Sequence, residues 1–344
     1  MRHAGMIMGL IALTTGPAQA TNSPIELRTA MVALIERLSG QFDSAPQVEA
    51  QAALGTPEKE RHGRVYRSFT RIDAPALGDN VLVATVRYGG KAGQFDNGEF
   101  QVWTVAVDAE RKAVRMSPRR FKDPDKYKDR ALDAAAFAGL APSDLVPASG
   151  AASCDIYWRL YGQDLRGASD LAACKSMSTA TKTELAWDWQ YVLSDSELWL
   201  TFAGRDASGK IASGRADQAF WRLGKARAFE CLFGYRPKDG EPQSINGPHM
   251  HDRGDVHVWQ TKAPNARTFH YELLRADWPA RTGRGTEDLL RIRIYDGDPT
   301  MPQSRTLLGE GWASAASDRA SFGDGEFNGR CKLFDPGAPP PKNE

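Results

Sequence analysis

Cys154-Asp155-Ile156-Tyr157-Trp158-Arg159-Leu160-Tyr161 alternates without a break: Cys154, Ile156, Trp158 and Leu160 fall on one face, Asp155, Tyr157, Arg159 and Tyr161 on the other. A period of two is the period of a strand, and aromatic and β-branched residues suit its pleated surface. The same reading holds at Arg64–Asp73, Val81–Tyr88, Phe100–Asp108, Thr183–Val192 and Glu197–Gly204. Within Thr183–Val192, Leu185, Trp187, Trp189 and Tyr191 make a single-face aromatic row. Clusters of Gly, Asp, Asn and Pro separate the segments, and Asp96-Asn97-Gly98-Glu99 and Asp206-Ala207-Ser208-Gly209 have hairpin chemistry. Consecutive strands of this kind suit an antiparallel barrel, which removes its edges by closing and either fills with side chains or holds one ligand.

Towards the N-terminus the period changes. Ser23-Pro24-Ile25-Glu26 reads as a capping box with proline in the first turn, and Leu27, Met31, Leu34, Ile35 and Leu38 recur at helical spacing before Gly40. Such a helix has one apolar face, which expects to dock on a sheet or plug a barrel. Ala131–Phe137 is a second, short helical candidate. Before residue 21, Arg2 and His3, the apolar run Met6–Leu13 and Ala18-Gln19-Ala20 read as a signal peptide, residues 1–20. The expected location is therefore exported, periplasmic or secreted, with no membrane span in the mature chain.

Four cysteines, Cys154, Cys174, Cys231 and Cys331, allow three pairings. Cys154–Cys174 and Cys231–Cys331 are favoured because each brackets a self-contained block of strands. A zinc site on the same residues lacks CxxC spacing and would need reduced thiols outside the cytoplasm. The net charge is +1 with acids and bases interspersed, so no basic stripe exists to track phosphates and nucleic acid is not expected as a partner. From Cys231 a second, smaller β unit is expected over 229–335, after the barrel at 21–228. It opens with a Pro/Gly/Asn loop from Arg236 to Pro248. Strands follow at Val256–Gln260, Thr268–Ala276, Leu289–Asp296 and Thr306–Trp312, with a last one near Gly329–Phe334; the tail 336–344 is expected to be disordered.

Three groups of motifs carry a family resemblance over roughly Glu26 to Arg227. Leu34-Ile35-Glu36-Arg37-Leu38-Ser39-Gly40-Gln41-Phe42-Asp43-Ser44 with Gln47 comes first. Val65-Tyr66-Arg67, Val86-Arg87-Tyr88 and Gln101-Val102-Trp103 follow, and then Cys154-Asp155-Ile156-Tyr157-Trp158-Arg159 with Gly167 and Cys174. In order and spacing they resemble the CpcT/CpeT family of phycobiliprotein chromophore lyases. The sequence departs at Ser153, where the family has Gly, and at Glu99-Phe100-Gln101-Val102-Trp103, where it has an arginine-rich strand. His251-Asp252-Arg253-Gly254-Asp255 is similar to a motif in an extension of exported bacterial relatives.

The resemblance implies a calycin- or lipocalin-like barrel whose cavity holds an open-chain tetrapyrrole (a bilin) or a similar apolar ligand. It also implies lyase chemistry towards an acceptor protein thiol, with no cofactor required. A bilin site needs apolar walls, partners for two carboxylates and an acid near the reacting ring. Arg67, Arg71 and Arg87 are the candidate carboxylate partners, with Arg159 on the most specific motif. Tyr66, Tyr88, Trp103, Tyr157 and Tyr161 are candidate walls, and Asp155 is the candidate proton donor. Export argues against the lyase and, with the neutral charge and the absence of a clear catalytic constellation, favours the alternative of a non-catalytic binding protein using the same cavity. His249, His251 and His257, with Asp252 and Asp255, crowd one segment, but H-x-H-D without helical spacing defines no metal geometry, so no metal is assigned.

Overall fold

The structure, a computed structural model, describes residues 23–147, 154–178, 182–262, 266–279, 285–297 and 305–334. The signal peptide and the C-terminal tail expected from the sequence lie outside the described residues. Helix α1 (Pro24–Leu38) opens the fold, with the capping box formed: the Ser23 hydroxyl accepts from Glu26 N at 3.2 Å and the Glu26 carboxylate accepts from Ser23 N at 2.8 Å.

Fourteen strands then make one antiparallel sheet: β1 (Gly40–Asp43), β2 (Val65–Ile72), β3 (Val81–Tyr88), β4 (Gln94–Phe95), β5 (Gln101–Asp108), β6 (Ala113–Phe121), β7 (Leu145–Pro147), β8 (Ile156–Tyr161), β9 (Asp164–Ser169), β10 (Lys175–Met177), β11 (Glu184–Leu193), β12 (Glu197–Arg205), β13 (Ile211–Gly214) and β14 (Trp221–Lys225). Ten of them run as a meander, β1-β2-β3-β5-β6-β8-β9-β11-β12-β14, and β14 pairs back onto β1, Phe42 opposite Lys225, to close the barrel. The short strands β4, β7, β10 and β13 extend single edges of it. The all-β barrel read from the alternation is therefore the fold.

One half of the barrel is filled. Leu34, Ile35 and Leu38 of α1 pack with Phe42, Phe69, Leu82, Val114, Trp158, Leu165, Leu193 and Leu198 in one dry core. The helix thus plugs the barrel through the apolar face its spacing encodes. A second helix, α2 (Ala45–Ala53), lies outside against β14 and was not marked by the sequence pattern, because only Ala45 of it is buried. Ala131–Phe137 is a 3-10 turn over Ala134–Phe137 rather than a helix, and its Phe137 joins the core beneath Phe100 and Phe121.

The remaining strands form two four-stranded sheets. One has the order β16 (Gln243–His251), β15 (Ala228–Tyr235), β22 (Phe327–Leu333), β21 (Arg319–Gly323); the other is β17 (Arg253–Gln260), β18 (Thr268–Pro279), β19 (Thr286–Asp296), β20 (Thr306–Ser314). They face each other across Phe229, Phe233, Phe269, Tyr271, Ile292, Ile294 and Phe327. The loop expected at Arg236–Pro248 is a loop over its first half, 236–242, and strand β16 from Gln243 onwards. Pro248 is tolerated because β16 is an edge, and it falls where the register against β15 shifts. Both favoured disulfides are formed, Cys154–Cys174 and Cys231–Cys331, the latter joining directly opposed residues of β15 and β22.

A buried polar seam joins these sheets to the barrel. Arg64 donates to both carboxylate oxygens of Asp43, at 2.9 and 2.8 Å, and to the carbonyl of Gly254. Lys91 pairs with Asp255 at 2.7 Å, Arg227 with Asp252 at 2.7 Å and Arg291 with Glu49 at 3.1 Å. Gly254 has φ +85° and packs against α2, where an added Cβ would come within 2.7 Å of the Ala45 Cβ, so glycine is required there twice over.

Candidate functional site

The half of the barrel away from α1 encloses a cavity of about 380 Å³, within the usual range for small-ligand sites. Strand parity decides who reaches it. On β2, Val65 and Arg67 face in; on β3, Val86 and Tyr88; on β5, Gln101 and Trp103; on β8, Ile156. The wall formed by β11, β12 and β14 is aromatic. Trp189 stacks on Phe202 at 4.8 Å between ring centroids, and Phe202 on Trp221 at 5.6 Å, with Trp187 and Tyr191 completing the surface. Trp187, Trp189, Phe202 and Trp221 remain only half-buried. Large aromatic rings left partly wet inside a closed barrel are an unfilled apolar surface, since full burial would contribute a few kcal/mol each.

The polar groups are few. Arg67 lies 6% exposed against this wall. Its Nη2 donates to Glu99 at 3.2 Å, it lies against the Tyr191 hydroxyl, and its Nε has no partner among the described residues. Burial raises the Glu99 carboxyl above its usual range; Arg67 opposes that shift and Asp96 reinforces it. Burial likewise pushes the Tyr191 phenol up to about 12. Asp96 closes the preceding turn by accepting from Gly98 N at 2.8 Å and Glu99 N at 3.3 Å. Cys154 and Ser176 also line the cavity, which places the Cys154–Cys174 disulfide at its wall.

The candidate residues from the sequence divide three ways. Arg67, Tyr88 and Trp103 meet at the cavity. Tyr66 and Arg87 lie together in a groove on the outer surface of β2 and β3, where Tyr66 stacks on His251 at 5.6 Å and Arg87 covers Phe95. Asp155, Tyr157, Arg159 and Tyr161 are not among the cavity residues. Asp155 lies 4.0 Å from Arg115, Arg111 covers the Tyr157 ring, Arg159 donates to the Arg111 carbonyl, and Arg166 covers Tyr161. Arg71 is exposed. The reading missed Glu99 and Asp96 as site residues, since turn chemistry accounted for them. It also stopped short of assigning Trp187, Trp189 and Tyr191 of the single-face row to the cavity, although that row is the clearest signal in the sequence.

The histidines do not converge. His251 is fully buried in the seam, His257 stacks on Phe233 and His249 rests on Phe334. Among the described residues no group of three or more His, Cys, Asp or Glu side chains is placed to hold a metal. No helix among them is long and apolar enough to cross a membrane.

No family model matches the chain, and no curated protein matches it in sequence. Among solved structures, the CRL protein of Arabidopsis is similar at a TM-score of 0.43 and 13% identity, over 58% of this chain and 98% of that one. A likeness at that level carries no argument about ligand or chemistry, and the chromophore-lyase resemblance stands on its motifs alone.

Proposed function

We propose that the barrel is a binding site for an elongated, largely apolar small molecule carrying one acidic or carbonyl group. The supporting observation is the pairing of four half-buried aromatic rings with a single buried guanidinium whose Nε is unpartnered. The rings offer surface to an apolar body. The guanidinium offers a donor that a ligand oxygen would satisfy, and a buried unpaired donor costs about 1–3 kcal/mol until something does. Export through a signal peptide fits a binding protein of the periplasm or the exterior.

A bilin is one molecule of this description, and the motif resemblance adds transfer of a bilin to an acceptor thiol as the finer reading. Its acid would have to be Glu99 or Asp96, because these carboxyl groups line the cavity and Asp155 does not. The test is titration of the purified mature chain, under non-reducing conditions, with biliverdin, phycocyanobilin and a panel of dansylated fatty acids. Saturable binding that quenches tryptophan fluorescence, and that is lost in Trp189→Ala and Phe202→Ala, is expected. Binding that survives both substitutions would move the site elsewhere. A saturable red-shifted bilin band, followed by transfer to a thiol peptide, would select the lyase reading; a band without transfer would select a binding protein.

A further inference from the structure

The cavity's one guanidinium is already engaged. Glu99 reaches Arg67 from the end of the Asp96–Glu99 turn, at 3.2 Å and with its side chain about a quarter exposed. Besides Arg67 of β2, the groups facing Glu99 are Asp96 on its own turn, Tyr88 of β3 and Tyr191 of β11. Arg67 is the only cation among them, whereas Asp96 is a second anion.

We infer that Glu99 is the specificity-determining residue of the cavity, an internal carboxylate that occupies the anion seat on Arg67 and that any acidic ligand must displace or neutralise. This rests on the ligand-binding reading above and adds to it the rule by which ligands are sorted. A neutral ligand can fill the aromatic wall and leave the Arg67–Glu99 pair intact. A ligand carboxylate at Arg67 brings a third anion beside Asp96 and Glu99, and one guanidinium cannot offset all three. The arrangement is relieved when Glu99 takes a proton from solvent, becoming a neutral acid that donates to the ligand or to Asp96. The acid complex then holds one more proton than the free protein, so its affinity rises as pH falls, by at most about tenfold per unit for one proton. Neutral ligands carry no such coupling.

Two matched probes test this, a dansyl-labelled undecanoic acid and its methyl ester, titrated into wild type and Glu99→Gln. Glutamine still offers Arg67 an acceptor oxygen but no charge. The expected result is that acid affinity relative to ester affinity rises tenfold or more in E99Q at about pH 8. In the wild type alone the same ratio should climb as pH is lowered from about 8 to about 6, a range in which the free acid stays ionised. An unchanged ratio in E99Q overturns the inference while saturable binding of both probes keeps the ligand-binding reading. If E99Q does not fold, a wild-type ratio that is flat with pH overturns it by itself. Binding of neither probe would remove the cavity reading and this inference together.

Discussion

His251 Nε2 sits 3.8 Å from Asp43 Oδ2, and both side chains are wholly buried between the barrel and the C-terminal sheets. Nδ1 of the same ring accepts from Arg253 N at 3.2 Å, so the proton of the neutral ring is on Nε2 and points towards Asp43. Burial holds the His251 pKa below its ordinary value, although Asp255 and Asp43 pull the other way. The unfolded chain therefore takes up this proton first as pH falls. Stability should be level above about pH 6.5 and decline below it. Asp255 adds to the decline at lower pH: burial would raise its pKa, but His251 and Lys91 outweigh that and lower it, so its contribution is lost as it protonates. Urea midpoints measured from about pH 7.5 to about pH 5 should show the fall, and His251→Gln should flatten its upper part. An unchanged slope in H251Q would place the acid sensitivity elsewhere.

Gly167 on β9 lies where an added Cβ would meet the Trp158 ring at 2.7 Å and the Ile156 side chain at 2.9 Å. Trp158 is fully buried and cannot move away without disturbing Tyr191, 5.5 Å from it. Gly167→Ala should cost about 1–3 kcal/mol by overpacking. It should also weaken ligand binding by shifting Tyr191, and a wild-type melting temperature would contradict this packing.

The two disulfides should be unequal. The closed segments span 20 and 100 residues. Chain entropy puts their contributions near ~3 and ~5 kcal/mol, so replacing Cys231 and Cys331 by serine should be the more damaging change. Replacing Cys154 and Cys174 should instead be felt at the cavity they border, as weaker probe binding at temperatures where the fold is intact.

Arg291 is buried between two carboxylates and two indoles. It donates to Glu49 at 3.1 Å and Glu272 at 3.2 Å, and its guanidinium lies over Trp278 at 4.1 Å. Arg291→Met keeps the stem but leaves the carboxylates facing one another. A loss of about 2–3 kcal/mol is expected, below the range for fully buried pairs because Glu49 is about a third exposed. Adding Glu49→Gln should recover part of it, and additive losses in the double variant would show that the two groups are not coupled.

The barrel was legible because most of its strands have one wet face and one dry face, which is what a period of two records. Strand β6 was not, since Ser117-Pro118-Arg119-Arg120 reads as a loop. Pro118 is accommodated because it lies between the stretches of β6 that pair with β8 and with β7, where no backbone donor is needed. The site was half legible for a reason of geometry. Tyr66 and Arg67 are neighbours on one strand, as are Arg87 and Tyr88, so within each pair only one side chain can look inwards. Motifs name both, and parity against the core selects Arg67 and Tyr88. The outer partners are polar or aromatic for a different cause: β2 is covered on its outside by the seam, which no local pattern announces.

Strand β22 lies inside its sheet, between β15 and β21, and the sheet's first strand pairs with it along its length. During synthesis, then, the barrel has all ten of its strands once residue 225 is free, while β15, though it can pair with β16 early, must wait about a hundred residues for β22 on its other side. Through that interval Phe229 and Phe233 have no finished layer to enter, and Cys231 has no thiol across from it. The segment that forms the C-terminal sheets is thus the part of the nascent chain that most needs shelter from aggregation and from premature oxidation.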